Sequence, residues 1–138
     1  MRPSRIVVLA VLIASQLALL PGCTTPVPAT VTLRPSIPLK ADPVIFLQAK
    51  AQWERIAESL RDAGLRTTNQ FSDADYALDV RVGRSRVNKP CGGLSNVAYI
   101  VNSSAGGRMM VIKGRGGTGT CSPNVFDDMS QTLASFAN

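Results

Sequence analysis

The stretch DYALDVRVG, residues 75–83, has the most regular pattern in the chain. Large apolar side chains alternate along it with small or charged ones, in the order Tyr76, Ala77, Leu78, Asp79, Val80, Arg81, Val82. Successive side chains of a β-strand point to opposite faces, so a period of two indicates a strand with one face in a core. We therefore expect a half-buried strand here, and the flanking segments decide what packs on it.

Upstream of this strand, apolar residues recur at three- and four-residue steps, which is the spacing of an amphipathic helix. The stripe consists of Phe46, Ala49, Trp53, Ile56, Ala57, Leu60 and Ala63. Asp42 and Pro43 resemble a helix start, and Gly64 is a typical stop. The pattern predicts one helix from Pro43 to Gly64 with Trp53 in the core, and a short strand in LRTT, residues 65–68.

Downstream, the segments VAYIVN (97–102) and RMMVIK (108–113) are separated by Ser-Ser-Ala-Gly-Gly, which predicts a β-hairpin. A second amphipathic helix is expected to run to the C-terminus from an N-cap at Ser122, with Pro123 in its first turn. Its apolar stripe is Val125, Phe126, Met129, Leu133 and Phe136. These elements predict an α+β two-layer sandwich, with a mostly antiparallel sheet of three to five strands and two amphipathic helices on one face.

Three glycines in IKGRGGTGTCSP, residues 112–123, have the spacing of a nucleotide-binding fingerprint. That fingerprint requires a strand-to-helix turn at the glycines and an acidic residue about 20 positions later, and the sequence provides neither. A P-loop would require Gly-Lys-Ser or Gly-Lys-Thr at its end. We instead expect a loop in which glycine permits sharp turns, fastened by a disulfide between Cys91 and Cys121.

The N-terminus has the order of a secretory signal, with Arg2 and Arg5 ahead of an apolar run. The motif LPGC, residues 20–23, resembles a bacterial lipobox, which implies cleavage before Cys23 and acylation of its thiol. A secretory signal with a chance cysteine is the alternative. Acylation of Cys23 would leave Cys91 and Cys121 as a pair in an oxidising compartment. Thr24 in place of Asp implies, by the same resemblance, sorting to the outer membrane.

These features predict three parts of the chain. Residues 1–22 form the signal peptide, and residues 23–43 form a lipid-anchored, proline-rich tether with room for an edge strand at 30–34. Residues 44–138 form a periplasmic α+β domain. The chain has 15 basic and nine acidic residues, a net charge of +6. The loss of Arg2 and Arg5 with the signal reduces the charge to +4.

The charge is strongly polarised along the chain. No Asp or Glu occurs between Val80 and Phe126, whereas residues 41–79 have a net charge of −3. The basic residues of the later segment are Arg81, Arg84, Arg86, Lys89, Arg108, Lys113 and Arg115. They predict a surface that binds an anionic ligand or a partner, since a basic region near a membrane attracts anionic headgroups. A merely solvated cationic surface is the alternative.

The sequence contains no histidine, so it lacks the usual general base, and no metal or cofactor is expected. Two carboxylate pairs, Asp73 with Asp75 and Asp127 with Asp128, suit a turn and a helix N-terminus. Nucleic acid is not an expected partner, because no aromatic residues interleave the basic ones. We therefore expect a protein that is not an enzyme.

The segment AQWERIAESLRDAGLRTTNQFSDADYALDVRVG, residues 51–83, resembles small uncharacterised envelope lipoproteins of Gram-negative bacteria. The element order is also similar to that of the lipoprotein partner of the lipopolysaccharide-assembly barrel, and no functional residue is transferred from it. These resemblances imply an outer-membrane lipoprotein, anchored through acylated Cys23 and facing the periplasm. Its basic, disulfide-tied end would bind lipopolysaccharide, an anionic lipid or an envelope protein. Two alternatives stay open: an assembly subunit of an outer-membrane complex, and an inhibitor or immunity protein of a cell-wall enzyme that inserts residues 114–119.

Overall fold

The alternating segment at 76–82 is a strand and lies inside a mixed sheet. The computed structural model describes residues 27–83, 94–119 and 124–137. Within these ranges the elements are β1 (Val27–Leu33), β2 (Val44–Ala49), α1 (Trp53–Asp62), β3 (Arg66–Thr68), a single 3-10 turn (Phe71–Asp73), β4 (Tyr76–Val82), β5 (Leu94–Ser103), β6 (Arg108–Gly117) and α2 (Val125–Ala134).

The described strands form one six-stranded sheet in the order β1-β6-β5-β4-β2-β3. β2 runs parallel to β3 and to β4, and the other neighbours are antiparallel. Both helices pack on one face, so the predicted α+β class is confirmed. The prediction of three to five mostly antiparallel strands is only roughly right, because the described sheet has six strands and includes a parallel strand next to the β3 edge.

That strand is β2, which replaces the first half of the predicted helix. Val44, Ile45, Phe46 and Leu47 form a continuous apolar run rich in β-branched and aromatic side chains, and such runs favour strands buried between neighbours. Left-handed backbone at Asp42 and Gln52, with φ of 50° and 57°, brackets the strand. The helix therefore begins at Trp53 and not at Pro43.

Trp53 does not lie in the core, contrary to the prediction. It occupies the first turn of α1, is 40% exposed, and donates a hydrogen bond from Nε1 to the Leu47 carbonyl at 3.3 Å. The helix instead buries Ile56, Ala57 and Leu60 against the sheet. The apolar stripe was thus assigned correctly only for its second half.

The second helix begins two residues later than predicted. Asn124 is its N-cap, and its side chain accepts a hydrogen bond from the Phe126 amide at 2.9 Å. Asp127 completes a capping box by accepting from the Asn124 amide at 3.3 Å. Ser122, the predicted cap, is outside the described residues. Neither helix in the described ranges has the length and apolar character required to cross a bilayer.

The core lies between the helices and one face of the sheet. Tyr99 and Phe126 are its largest fully buried side chains, and aliphatic residues such as Ile45 and Met110 surround them. Tyr99 carries a polar group into this core, and its hydroxyl lies 3.1 Å from the hydroxyl of buried Ser130, so the two form a buried hydrogen bond.

The glycine-rich segment is not a loop at its start. Gly114, Gly116 and Gly117 belong to β6, which pairs with β5 as far as Gly117. Among the described glycines, positive φ occurs at Gly64 and Gly106. The glycines of β6 therefore do not serve a sharp turn. At Gly114 the absence of a side chain leaves room for α2, which packs directly on this position.

Candidate functional site

The helices cover one face of the sheet and leave much of the other face to solvent. On this uncovered face, near the carboxyl ends of β4 and β6, lies a depression of about 610 Å³. Its lining, drawn from four adjacent strands, contains no carboxylate among the described residues. The lining residues are Pro28, Thr30, Arg81, Val82, Gly83, Asn96, Val97, Ala98, Lys113, Gly114 and Arg115. We call this surface the basic depression.

Strand register places one row of side chains across the basic depression. Arg81 of β4 pairs with Ala98 of β5, Ala98 with Lys113 of β6, and Lys113 with Thr30 of β1. Adjacent strands are about 4.8 Å apart, so the Arg81 and Lys113 backbones are separated by about 10 Å. Because Ala98 between them has only a methyl group, space remains open between the two long cations.

A second row lies one step towards the end of the sheet. Arg115 follows Lys113 by two residues and therefore points to the same face, with the two Cα atoms about 7 Å apart. It pairs with Asn96 of β5. Lys113, Arg115 and Asn96 are all exposed, and so is Thr30, so their polar groups are accessible from solvent.

The three cations of the basic depression are not equivalent. Arg81 forms an ion pair with Asp79, which lies two residues earlier on the same strand face, with Nε 3.2 Å from Oδ2. Within the described residues, Lys113 and Arg115 have no carboxylate within ion-pair distance. The positive potential is therefore concentrated on β6.

Edge strand β1 completes the basic depression because α2 holds it in place. The register between β1 and β6 shifts between Val27 and Thr30. At this irregularity the Ala29 amide donates to Asp128 Oδ2 of α2 at 2.8 Å. Asp128 thus satisfies a backbone donor of β1 and fixes Thr30 beside Lys113.

Of the seven predicted basic residues, the structure brings together Arg81, Lys113 and Arg115. Arg108 lies elsewhere, because it begins β6 and is five residues from Lys113, or about 17 Å along the strand. Four groups of predicted residues lie outside the described ranges: Arg84, Arg86 and Lys89; Cys91; Cys121; and Cys23. The predicted disulfide and the lipidation site are therefore not described.

Sequence reasoning missed Thr30, Asn96 and Ala98, which lie among the cations. Their position beside the cations depends on the register of β1, β6 and β5, that is, on which residues face one another. The residues next to them in the chain do not indicate this register. Only the expectation of an edge strand at 30–34 pointed towards Thr30, and β1 occupies Val27–Leu33.

Three of the four carboxylates in the predicted pairs have structural partners, namely Asp75, Asp127 and Asp128. The Asp75 carboxylate accepts hydrogen bonds from the Val44 amide at 2.9 Å and from Lys40 Nζ at 3.2 Å. The Val44 amide, and after it the Lys40 ammonium, hold the pKa of Asp75 below its ordinary value despite partial burial. In the described ranges, no three His, Cys, Asp or Glu side chains converge as a metal site would require.

A second polar cluster joins the two helices on the opposite side of the molecule. Asp127 Oδ2 lies 2.9 Å from Arg55 Nη2, and Asp127 Oδ1 accepts a hydrogen bond from Ser59 Oγ at 2.8 Å. Each group in this cluster is partnered, so the arrangement fixes α1 against α2 rather than leaving a reactive group available.

Fold and site together define a small α+β domain with a mixed sheet, helices on one face and a basic depression on the other. No family model and no curated protein matches the sequence. Among solved structures, the chain is similar to a PelC dodecamer from Paraburkholderia phytofirmans, with 16% identity and a TM-score of 0.52, over 80% of this chain and 98% of that chain. At this identity the likeness shows a shared fold.

Two further solved structures are similar at lower scores. A single-substitution variant of the Paraburkholderia phytofirmans PelC dodecamer has 16% identity and a TM-score of 0.46, over 78% of this chain and 93% of that chain. A minor lipoprotein from Acinetobacter baumannii has 14% identity and a TM-score of 0.40, over 72% of this chain and 92% of that chain.

Proposed function

We propose that this protein is a non-enzymatic outer-membrane lipoprotein that faces the periplasm and binds an anionic envelope component through the basic depression. The observation that carries the proposal is the convergence of Arg81, Lys113 and Arg115 in one depression. Among the described residues, no carboxylate lines it. Candidate ligands are lipopolysaccharide, anionic lipid headgroups, and acidic groups of a protein or of peptidoglycan.

The anchor is part of the proposal and is supported by the sequence. The signal-like leader and the LPGC motif resemble those of acylated lipoproteins, and several acyl chains hold a protein firmly at a bilayer. A domain anchored in this way meets anionic surfaces at high local concentration. Each Lys or Arg near such a surface contributes about 1 kcal/mol of attraction.

Binding, rather than catalysis, fits the chemistry of the basic depression. Its described lining presents cations, the Asn96 amide and the Thr30 hydroxyl, and contains no histidine, carboxylate or thiol that could act as a general base. The polar groups are donors suited to holding an anion in one place.

The test compares two double variants with the same charge change. Acylated protein is immobilised from nonionic detergent, and binding of lipopolysaccharide, anionic lipid micelles and peptidoglycan fragments is measured across a salt series. We expect Lys113→Glu/Arg115→Glu to abolish saturable binding, and Arg61→Glu/Arg108→Glu to retain it. Equal losses in both variants would show a diffuse charge effect and contradict the proposal. Mass spectrometry of wild type and Cys23→Ser tests the anchor separately.

A second candidate function is that of an assembly subunit, which one observation favours. The solved PelC structure that shares the fold is a dodecamer. The first strand, β1, is also an edge of the described sheet, and unpaired edges are templates for association. Native mass spectrometry of the acylated protein in detergent tests this alternative, because a defined oligomer predicts one fixed multiple of the protomer mass.

A further inference from the structure

We infer that the basic depression binds a phosphate ester, with the phosphate held between Lys113 and Arg115. The inference rests on the proposed function and narrows its ligand from any anion to one chemical class. The shared chemistry is that of a phosphate bound to an organic group, which both phospholipid headgroups and phosphorylated sugars provide.

The first argument is the geometry of the two cations without a described acidic partner. Lys113 and Arg115 project from the same face of one strand, with their Cα atoms about 7 Å apart. The guanidinium of Arg115 presents parallel N–H groups that match two oxygens of a phosphate, and Lys113 adds a compact charge with freely rotating donors. Two long side chains at this spacing can converge on one tetrahedral anion.

Neutral donors on both sides extend this arrangement. Thr30 pairs with Lys113 from the β1 side, and Asn96 pairs with Arg115 from the β5 side. The Thr30 hydroxyl and the Asn96 amide thus flank the cations on opposite sides. A phosphate has oxygens in several directions and uses such a three-dimensional set of donors, whereas a planar carboxylate is satisfied by Arg115 alone.

The charge balance is complete for a phosphate monoester and half complete for a phosphodiester, which has a single negative charge. Arg81 is already paired with Asp79 at 3.2 Å, so the depression offers about two uncompensated positive charges. A phosphate monoester has a charge of about −1.5 to −2 near neutral pH. One bound monoester therefore neutralises Lys113 and Arg115.

The rest of the depression fits the organic group of the ester. Next to the cations, its described lining offers the small apolar side chains of Pro28 and Ala98, because those of Val82 and Val97 pack in the core on the other face of the sheet. It contains no aromatic ring on which a sugar could stack. The organic group therefore lies in the space above Ala98, and the phosphate provides the recognition.

The experiment titrates the acylated mature protein, from Cys23 onward, in nonionic detergent with soluble probes and records binding by calorimetry. Glycerol 3-phosphate and glycerophosphoglycerol represent lipid headgroups, glucosamine 1-phosphate represents phosphorylated sugars, and inorganic phosphate represents the free ion. Glucuronate is the carboxylate probe. We expect saturable binding of at least one phosphate ester, at least tenfold tighter than that of glucuronate. The preferred ester identifies the source of the ligand.

Variants separate a built site from general attraction. Lys113→Gln/Arg115→Gln should weaken binding of the preferred ester at least tenfold, and Arg61→Gln/Arg108→Gln, with the same charge change, less than twofold. Ala98→Leu should also weaken binding at least fivefold, since it fills the depression without altering charge. Thr30→Ala should weaken binding about threefold. Because Thr30 is exposed on the edge strand, this variant still tests the site if Ala98→Leu disturbs the fold.

Two results would overturn the inference and differ in their meaning for the proposed function. If glucuronate bound as tightly as the esters and Lys113→Gln/Arg115→Gln still abolished binding, the depression would be an anion site without phosphate preference. The proposed function would then stand and the inference would fail. If no probe, lipopolysaccharide or anionic lipid distinguished the Lys113/Arg115 variant from the Arg61/Arg108 variant, both would fail.

Discussion

Gly114 of β6 lies so close to Met129 of α2 that a Cβ atom at position 114 would be 2.9 Å from the Met129 sulfur. The same Cβ would be 3.2 Å from Cγ2 of Val125, a side chain with little rotational freedom. These distances are shorter than ordinary van der Waals contact. The absence of a side chain at 114 therefore sets how closely α2 approaches the sheet.

We expect Gly114→Ala to destabilise the fold by about 1–3 kcal/mol, the usual cost of overpacking a tightly packed core. Chemical unfolding at constant temperature measures the change in the free energy of unfolding. Gly107→Ala is the matched control, because a Cβ there meets only the Ser103 Oγ at an ordinary 3.5 Å. Equal stability of the two variants would mean that α2 moves aside freely.

Asp127 links two helices that are distant in the chain. Its removal should therefore lower the free energy of unfolding by more than the loss of a helix cap alone. Asp127→Ala removes the capping-box contact, the Ser59 hydrogen bond and the Arg55 ion pair. We expect a loss of about 2 kcal/mol, of which the cap provides about 1. A double-mutant cycle with Arg55→Met tests the link, since coupled residues give non-additive changes. Additive losses would contradict it.

The local elements of this fold were predictable because their signals are local. The alternation in 76–82, the turn between β5 and β6, and the stripe of α2 each depend on neighbouring residues. β2 was mistaken for helix because Phe46 and Ala49 also fit helical spacing. Pairing with β3 and β4, which lie further along the chain, decides between the two structures.

The candidate site was predictable in charge but not in arrangement. The absence of acidic residues after Val80 indicated a basic surface, and Lys113 and Arg115 do lie on it. Counting charges along the chain also grouped Arg108 with them, although a ten-residue strand separates its two ends by about 30 Å. The neighbours Thr30 and Asn96 follow from strand register, which requires the folded sheet.

The low pKa of Asp75 predicts a loss of stability in acid. Its ionised carboxylate binds the Val44 amide and Lys40, so the folded state holds the pKa below the ordinary 3.8. A depressed pKa stabilises the fold above the unfolded-state value, and that contribution disappears as the pH falls through the folded-state value. We expect Asp75→Asn to lower stability at pH 7 and to flatten its decline below about pH 4.

The control for Asp75 is Asp73→Asn, at an exposed position in the same connection before β4. In the described ranges the Asp73 side chain accepts no hydrogen bond. Unfolding free energies of wild type and both variants, measured across the acid range, give the comparison. If the unfolding free energy of Asp75→Asn fell with decreasing pH as steeply as that of wild type, the interaction with Val44 would not depend on the charge of the carboxylate.

Tyr99 predicts the opposite limit, a loss of stability in base. Its hydroxyl is buried beside Ser130, and burial raises the pKa of Tyr99 well above the ordinary 10.0. The folded state then keeps the proton where the unfolded state releases it. Stability is fully present below pH 10 and declines as the pH rises further. Tyr99→Phe should decline less steeply above pH 10, although it leaves Ser130 without its partner and is less stable at neutral pH.

Phenolate absorbance in the near ultraviolet measures this directly, since the chain has two tyrosines. The difference between wild type and Tyr99→Phe isolates the Tyr99 signal. We expect that signal to appear together with global unfolding, followed by circular dichroism, because the buried ring ionises only when the core opens. Ionisation of Tyr99 near its ordinary pKa, in a protein that stays folded, would show that the ring is accessible to solvent and would contradict its place in the core.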